Sequence, residues 1–347
     1  MSEPIKIGVM AASRIATKAV IEPIRTIDGV QLAAVAARSA ERAAEAAASW
    51  GATRSFGSYD ELLNSDVDAV YIGTPAALHR RWAIATLEAG KHLLCEKPLA
   101  SNAADGKAVA DAAEAAAANG VVAMEAFHWR YHPYAEQIRA VLESGELGRI
   151  ERITTRFDIQ EGRIGRGDIR WDLALGGGAL MDLGCYNIQW LRFVGQTLGA
   201  GEPTVESATA VCPVEGVDGQ MEAELRWASG LSGYLHTSMI ADNEAVDGNI
   251  PDTVPSLIVS GSQGTMTAVN PLAPQNGAEL IVETDSGRRA EAVEASATYF
   301  HQMKAFLDAI NNGSSFPTTI ADGVNNMAVI DACYVAAGLD PRPAAAD

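Results

Sequence analysis

Positive charge is scarce in this sequence, and this limits the partners that the protein can take. The 347 residues include 26 Lys and Arg against 44 Asp and Glu, which gives a formal net charge of -18. A protein with this charge repels phosphate polyanions over most of its surface, so nucleic acids and anionic membranes are poor partners. The expected partner is therefore a small molecule. An acidic protein can still bind one that carries phosphate, since a pocket can be locally basic.

Cysteine is also scarce. The four cysteines, Cys95, Cys185, Cys212 and Cys333, form no C-x-x-C pair and no cluster with histidine, so no metal site is predicted. We interpret them as buried thiols in a reducing compartment. The alternative is a thiol role for Cys95 or Cys185, which stand beside candidate site residues.

Long apolar runs are absent as well. No run reaches the ~18 residues that a membrane-spanning helix needs, and MSEPIKIGVM lacks the charged-then-apolar pattern of a signal peptide. These absences predict a cytoplasmic protein. Its length fits two domains.

The sequence pattern changes along the chain and divides it into two parts. Runs such as IKIGVM, VQLAAVAA, DAVYIGTP and KHLLCEKP alternate with helical patterns, which predicts a parallel sheet with crossover helices. Later runs such as RIERITTRFDI, MEAELRWA and LSGYLHTSMI alternate polar and apolar residues, which predicts antiparallel strands. We expect an α/β protein with a doubly wound domain at 1–124 and an α+β domain with a large, mostly antiparallel open sheet at 125–347. The last two helical patterns are candidates for packing back on the first domain, and LDPRPAAAD is predicted to be a frayed tail.

The turn after the first strand, GVMAASRIA, is poor in glycine. A dinucleotide fold places glycines here for a tight turn and for close approach of the backbone to a pyrophosphate. Only Gly8 is present, and Ala11 and Ser13 stand where later glycines are expected. The helix N-terminus at Arg14 and Ile15 still favours a phosphate. This segment alone fits a dinucleotide site and a plain strand–turn–helix equally well.

The end of the second strand, AVAARSAER, bears on cofactor choice. A fold that prefers NAD usually places an acid here for the ribose hydroxyls. Arg38 and Ser39 stand there instead, and an arginine fork pairs well with a 2′-phosphate. The prediction is therefore NADP, with NAD less expected. The alternative is that Arg38 is a solvated residue and Ser39 only a helix N-cap.

Polar residues follow two further strands, where open α/β sheets bind ligands. Thr74 and Pro75 follow one strand, and His79 follows on the next helix, where it is a candidate cofactor contact or a locally satisfied helix-start residue. Glu96 and Lys97 follow the other strand, before a proline. A lysine there can bind a substrate oxygen and lower the pKa of a neighbouring phenol. The alternative is a surface ion pair between these two residues.

The segment GGGALMDLGCYN runs from three glycines into a helix-like pattern. Asp182 and Tyr186 are four residues apart, so a helix would place both on one face. The segment is therefore a candidate for the acid–base half of an active site. The alternative is that Asp182 caps a helix and Tyr186 belongs to the core.

Three segments, CEKPLA, MEAFHWRYHP and RWDLALGGGALMDLGCYN, resemble the glucose–fructose oxidoreductase/inositol dehydrogenase (Gfo/Idh/MocA) family. The resemblance extends over essentially the whole chain. It implies a Rossmann domain followed by an open-sheet domain through which members form dimers or tetramers. It also implies NAD(P)-dependent oxidation of a secondary alcohol or hemiacetal, or the reverse reaction.

The resemblance also assigns roles. The family lysine matches Lys97, and the family aspartate matches Asp182. Many members have histidine at the position of Tyr186; tyrosine is typical of the branch that includes glucose–fructose oxidoreductase, dimeric dihydrodiol dehydrogenase and NADP-dependent xylose dehydrogenase. Members of this branch also tend to have an arginine and a serine matching Arg38 and Ser39. The glycine-poor turn is a departure from the family pattern.

These residues suggest a reaction. A hydride passes between the substrate carbon and the nicotinamide C4 while a proton leaves or joins the substrate oxygen, and the proton acceptor needs a pKa near neutral. Tyr186 is the candidate acid or base, Lys97 the group that lowers its pKa, and Asp182 either orients Lys97 or binds sugar hydroxyls. Candidate hydroxyl contacts are Arg130, His132 and Arg170. Candidate rings for stacking on a sugar, or alternatively for the core, are Phe127, Trp129 and Trp171.

The sequence thus predicts an NADP-dependent dehydrogenase or reductase for a sugar, a polyol or a cyclic diol. Three alternatives stay open. An NAD-dependent glycosidase of the same superfamily would cleave an aryl glycoside and release no NADPH with free sugars. A sugar-nucleotide-processing dehydrogenase is the second alternative. The third is a non-catalytic dinucleotide sensor, for which Lys97 and Tyr186 would be dispensable.

Overall fold

The computed structural model describes residues 3–242 and 254–344. By its internal contacts, the chain forms two units. The first comprises Met1–Tyr131, Tyr299–Val324 and Ala344–Asp347, and the second comprises His132–Thr298 and Asn325–Pro343. Compared with the predicted domains, the first unit extends beyond 124 and takes in a late segment, because a helix near the C-terminus packs on its core.

A parallel sheet forms the centre of the first unit. Its strands are β1 (Ile5–Met10), β2 (Val30–Ala36), β3 (Arg54–Phe56), β4 (Ala69–Ile72), β5 (His92–Cys95) and β6 (Ala123–Glu125). They are ordered β3-β2-β1-β4-β5-β6, and all pairs are parallel. This is the doubly wound order of dinucleotide-binding folds, in which ligands bind where the strand order reverses, beyond the carboxyl ends of β1 and β4.

Helices connect these strands. They are α1 (Arg14–Ala16), α2 (Glu22–Ile24), α3 (Ala40–Trp50), α4 (Tyr59–Leu63), α5 (His79–Glu88) and α6 (Ala103–Ala117), with a π-helical turn (Thr17–Ile21) between the first two. The Ser39 N-cap of α3 is confirmed, since Ser39 Oγ accepts from Arg42 N–H, and the helix ends at the left-handed Gly51. The short α4 has no sequence prediction, because five residues carry too little helical period.

A second sheet forms the centre of the second unit. Its strands are β7 (Ile150–Gln160), β8 (Thr204–Val211), β9 (Gln220–Arg226), β10 (Ser232–Ala241), β11 (Ser256–Gly261), β12 (Gly264–Val269), β13 (Glu279–Thr284) and β14 (Gly287–Ala292). Their order is β14-β13-β12-β11-β7-β10-β9-β8, and only the β7–β10 pair is parallel. The predicted mostly antiparallel open sheet is therefore confirmed. Residues alternate between buried and half-exposed along β9 and β10, so one sheet face packs on the core.

Four α-helices of the described residues follow β6 in the chain: α7 (Pro133–Ser144), α8 (Cys185–Thr197), α9 (Thr298–Asn312) and α10 (Ile320–Ala336). Met303, Phe306 and Leu307 of α9 join the core of the first unit with Ile7 and Val9 of β1. No helix within the described ranges is long and apolar enough to span a bilayer. The predicted frayed tail is wrong at Arg342, whose side chain is 1% exposed.

Candidate active site

Two buried hydroxyl groups lie at the edge of the first sheet where the strand order reverses. Ser13 follows β1, and Thr74 follows β4. Within residues 3–242 and 254–344, neither Ser13 Oγ nor Thr74 Oγ1 has a hydrogen-bond partner. Because a buried hydroxyl without a partner costs about 1–3 kcal/mol, both oxygens fit a polar ligand such as the pyrophosphate of a dinucleotide.

The backbone at this edge is shaped for close approach. A Cβ on Gly73 would lie 2.7 Å from Ser13 Oγ and 3.0 Å from Tyr71 Cε1, so glycine lets the two turns lie close together without a shift of these side chains. Ala11 has a φ of 76°, in the left-handed region that favours glycine. The glycine-poor turn therefore keeps a glycine-like backbone, at a cost to alanine of about 1–2 kcal/mol.

Gly8 has a packing role in the structure. It lies within β1, and a Cβ there would stand 2.8 Å from Leu62 Cδ1 of α4 and 3.3 Å from Val67 Cγ1. Its small size thus allows α4 to approach the sheet. Contact of Gly8, Arg14 or Ile15 with a cofactor stays a prediction.

Two arginines flank the start of α3. Arg38 precedes the N-cap Ser39, and Arg42 lies in the first turn, where its Nη2 donates to Ala12 O at 3.3 Å. Burial raises the pKa of Tyr59, and the positive charges of Arg38 and Arg42 oppose that shift. Both guanidinium groups are therefore within electrostatic reach of one phenol. Sequence reasoning missed Arg42, although its four-residue spacing from Arg38 was an available signal.

His79 connects two of the predicted ligand-binding turns. Its ring is 1% exposed, with Nδ1 2.8 Å from Pro98 O and Nε2 2.8 Å from Thr74 O. Burial lowers the pKa of this imidazole, and the carbonyl groups oppose the shift. Each ring nitrogen lies at hydrogen-bond distance from a carbonyl oxygen, and a neutral ring donates to one of them at a time, so His79 packs between the Thr74 turn and the Lys97–Pro98 turn.

The residues after β5 form a partly buried group. Glu96 is 6% exposed, and its Oε1 accepts from the Tyr71 hydroxyl at 2.9 Å while Oε2 accepts from Lys97 N–H at 3.2 Å. The Lys97–Pro98 peptide bond is cis, and Lys97 is half-buried. Burial and the charge of Lys97 together lower the pKa of His128 to about 3. Lys97 is therefore a cation beside a neutral imidazole, and Glu96 is not a surface residue.

In the second unit, Tyr186 lies in the first turn of α8. Its side chain is 4% exposed, and its ring centroid lies 6.1 Å from that of Phe157 and 6.2 Å from that of Trp190. Residues Leu180–Gly184, just before α8, are π-helical, and the N-cap of this turn is Ala179. Asp182 lies inside the turn and not at its cap, so the structure does not support a capping role. Single π-turns of this kind are frequent at functional sites.

Asp182 belongs to a chain of charged side chains. Arg170 Nε donates to Asp182 Oδ2 at 2.5 Å, and Arg170 Nη1 donates to Asp168 Oδ1 at 3.0 Å. The charge of Asp182 raises the pKa of Arg170, and Asp168 adds to this. The side chains of Arg170 and Asp182 are 36% and 19% exposed, so part of this network of charged side chains is accessible to a ligand.

The remaining predicted contacts differ in exposure. Phe127 and Trp129 are buried, at 0% and 1% exposed, so the core alternative describes them best. Arg130 is half-buried, with its guanidinium 5.5 Å from the Trp129 ring centroid. His132 Nδ1 accepts from Tyr134 N–H and so caps α7. Trp171 lies beneath the guanidinium of Arg166, at 4.1 Å from its ring centroid.

The thiols agree only in part with prediction. Cys95, Cys185 and Cys333 are buried, but Cys212 is exposed, so its predicted burial is wrong. Cys212 follows directly after the edge strand β8, where one sheet face meets solvent. In the described part of the chain, no three His, Cys, Asp or Glu residues are grouped to hold a metal ion.

Comparison with known proteins identifies relatives for both units. Residues 5–126 match the model of the GFO_IDH_MocA oxidoreductase family with an NAD-binding Rossmann fold, and residues 135–267 match the GFO/IDH/MocA C-terminal domain. The D-xylose 1-dehydrogenase (NADP(+)) 2 of Haloferax volcanii is 34% identical over 335 residues, 95% of this chain and 96% of that protein. The trans-1,2-dihydrobenzene-1,2-diol dehydrogenase of Mus musculus is 34% identical over 262 residues, 75% of this chain and 71% of that protein.

A solved structure extends the comparison to the fold. A 3-ketoreductase from Actinomadura kijaniata, in complex with NADP and TDP-benzene, matches with a TM-score of 0.82 at 26% identity, over 95% of this chain and 97% of that one. The family models and relatives together confirm the resemblance read from the Glu-Lys-Pro and glycine-rich segments. The protein therefore belongs to the GFO/IDH/MocA family and is an oxidoreductase with a dinucleotide-binding Rossmann domain.

Proposed function

We propose that this protein is an NADP-dependent aldose dehydrogenase. It interconverts the anomeric hydroxyl of a free sugar and the corresponding carbonyl. The xylose dehydrogenase named above, similar over 95% of this chain, supports an aldose. The dihydrodiol dehydrogenase supports the second candidate, a cyclic diol.

The substrate class is inferred from the network of charged side chains formed by Asp168, Arg170 and Asp182. These partly exposed charged groups can exchange hydrogen bonds with several hydroxyls. Asp168 also lines a cavity of about 330 Å³ with Arg166, Trp171 and Glu215. Partly exposed carboxylate and guanidinium groups side by side can each bond a hydroxyl of a polyhydroxyl ligand, whereas a largely apolar diol offers them fewer hydroxyls.

The residues of the first unit fit NADP. Arg38 and Arg42 provide two guanidinium groups beside the Ser39 hydroxyl, a donor set suited to a 2′-phosphate. The unpartnered oxygens of Ser13 and Thr74 are suited to the polar groups of the same ligand. When bound, the dinucleotide supplies or accepts the hydride.

The proton is handled by side chains of this protein. We assign Tyr186 as the group that takes the hydroxyl proton in the oxidative direction and returns it in the reductive direction. Lys97 binds the same oxygen and favours the phenolate through its charge. Asp182, with its position fixed by Arg170, orients the substrate hydroxyls.

Reduction of NADP by a panel of free aldoses, with a trans-dihydrodiol included, tests the proposal. We expect NADPH formation with at least one aldose, a weaker response with NAD, and loss of turnover in Tyr186→Phe. Turnover of the diol alone would favour the second candidate. Cleavage of an aryl glycoside without NADPH release, or binding of NADP without any turnover, would contradict the dehydrogenase proposal.

We further propose that the protein is a homodimer or homotetramer associated through the second sheet. Along β9, Met221, Ala223 and Leu225 are buried, whereas Glu222 and Glu224 between them are half-exposed on the other face. That half-exposed face is available to a second copy. Sedimentation analysis is expected to show a dimer or tetramer, and a monomer at micromolar concentration would contradict this.

A further inference from the structure

Arg342, near the C-terminus, is buried against the glycine turn that precedes Asp182 and Tyr186. Its Nε donates to Gly177 O at 2.7 Å, and its Nη1 donates to Gly216 O at 3.0 Å. Its Nη2 donates to Asp218 Oδ1, and the guanidinium lies 3.9 Å from the Tyr334 ring centroid. The Arg342 side chain is 1% exposed, so its guanidinium is almost entirely shielded from water.

Asp218, the carboxylate partner of Arg342, holds the start of the π-turn. Its Oδ2 accepts from Leu180 N–H at 2.7 Å, and its backbone oxygen accepts from Ala179 N–H at 2.8 Å. Its Oδ1 also accepts from the Tyr334 hydroxyl at 3.0 Å. The first N–H groups of a helix have no partner within the helix, so Asp218 supplies partners to the turn that contains Asp182.

The glycine turn is fitted to this pair. Gly178 has a φ of 136°, and a Cβ there would collide with Asp218 Oδ1 and would lie 2.8 Å from Arg342 Nη2. Gly178 N–H donates to Arg170 O at 3.0 Å, and Gly178 O accepts from Asp182 N–H at 3.0 Å. The same glycine therefore connects the buried pair to both members of the Arg170–Asp182 contact.

We propose that Arg342 and Asp218 are positioning residues for the proton-transfer group. The pair fixes the glycine turn, and the turn fixes the direction in which the helix presents Asp182 and Tyr186. This inference rests on the proposed function of Tyr186. Neither residue touches the substrate; they act through backbone atoms of residues 177–180.

A substitution that keeps the charge of Arg342 but not its shape can distinguish a positioning role from a role in stability alone. Lysine at position 342 keeps one positive charge for Asp218, but an ammonium group lacks the planar fork that reaches two carbonyl oxygens and a carboxylate together. Loss of the fork loosens the turn without leaving Asp218 unpaired. Because a displacement of about 1 Å can lower a rate by roughly 100-fold, we expect a large change in kcat in a variant that still folds.

The test compares Arg342→Lys with Arg289→Lys. Arg289 is an exposed arginine of the same unit that pairs with Glu146, so it controls for the substitution itself. We expect Arg342→Lys to lower kcat by roughly 10- to 100-fold, with the Kd for NADP within about twofold of wild type. Arg289→Lys is expected to behave as wild type. If Arg342→Lys melts at a lower temperature but keeps wild-type kcat while folded, the pair is only structural and the proposal is overturned.

Two further measurements keep the inference testable by itself. In Arg342→Ala, added methylguanidinium is expected to restore part of kcat per folded molecule, with the folded fraction measured by circular dichroism; rescue of the folded fraction alone would contradict the positioning role. Hydrogen exchange of the backbone amides of residues 178–186 is expected to be faster in Arg342→Lys than in wild type. Exchange needs no turnover, so a wild-type protein inactive towards every sugar would contradict the proposed function only. Unchanged exchange at 178–186 would contradict the positioning role.

Discussion

At the edge of the first sheet, Ser13 and Thr74 present buried hydroxyl oxygens that no residue of the described chain hydrogen-bonds. Around the π-turn of the second unit, Asp182 and Asp218 are instead bound by Arg170 and Arg342. The first set of groups has bonding capacity left for a ligand. The second set is already engaged with its own protein.

This difference fits two tasks. A cofactor-binding edge gains affinity when a ligand provides the partners that buried polar groups lack. A proton-transfer group works best when its position is fixed before the substrate arrives, because little reorganisation is then needed during the reaction. Changes in the first unit should therefore alter cofactor affinity, and changes in the second should alter turnover.

The largest effect is expected for Tyr186→Phe. Phenylalanine keeps the ring packed near Phe157 and Trp190 but removes the group that exchanges the proton. We expect kcat to fall by roughly 100- to 10,000-fold, with unchanged NADP affinity measured by calorimetry. Near wild-type turnover of Tyr186→Phe would show that Tyr186 does not exchange the proton. It would also contradict the catalytic task that the comparison assigns to the second unit.

Cofactor affinity is expected to depend on two arginines. Arg38→Ala and Arg42→Ala should each weaken NADP binding by roughly 10- to 100-fold, since each removes one charged hydrogen bond to the 2′-phosphate. The Kd for NAD should hardly change, and kcat at saturating NADP should stay near wild type. An equal increase in the Kd values for NADP and NAD would show that these arginines do not bind the 2′-phosphate.

A pH effect is expected from His128. Burial, together with the charge of Lys97, lowers the pKa of His128 to about 3. An unfolded histidine has a pKa of about 6.5, so below that pH the unfolded chain binds a proton that the folded chain does not. The free energy of unfolding should therefore fall as the pH decreases towards 3, by about 1.4 kcal/mol per pH unit from this group.

Denaturant unfolding at several pH values between 4 and 7 checks this effect. His128→Phe retains an aromatic ring against Tyr299 and lacks the titrating group. The slope of unfolding free energy against pH should be shallower in this variant by about one proton. Parallel slopes would mean that His128 is not held neutral beside Lys97.

The smallest effect is expected for Ala11→Gly. Glycine removes the steric cost of the left-handed backbone at position 11 but adds entropy to the unfolded chain. The free energy of unfolding should rise by less than about 1 kcal/mol. Ala12→Gly is the control, because Ala12 is not among the positive-φ residues and should lose stability instead. A loss in both variants would show that the turn is not strained.

The sequence predicted the parts of this protein that depend on local patterns. Local patterns predict the buried parallel strands, the Ser39 cap of α3 and the placement of Lys97 in the turn that follows β5. The alternation along β9 and β10 likewise predicted an antiparallel sheet with one packed face.

Contacts between distant residues were beyond local patterns. Arg342 and Asp218 are separated by 124 positions, and nothing in LDPRPAAAD indicates a buried arginine. Arg170 and Asp182 are closer in sequence, but the sequence pattern predicts direct binding of Arg170 to substrate hydroxyls and not its pairing with Asp182. The sequence predicts a helix here, and the structure shows a π-turn at Leu180–Gly184 whose first N–H group binds to Asp218, a residue distant in sequence.

Backbone hydrogen exchange with and without NADP tests the contrast between the two regions most directly. NADP is expected to slow exchange in the turns at 11–15 and 73–74, which have bonding capacity left for it. Exchange at 178–183, which is already held by Asp218 and Arg342, should change far less. Equal or greater slowing at 178–183, or no slowing at the first-unit turns, would contradict the account.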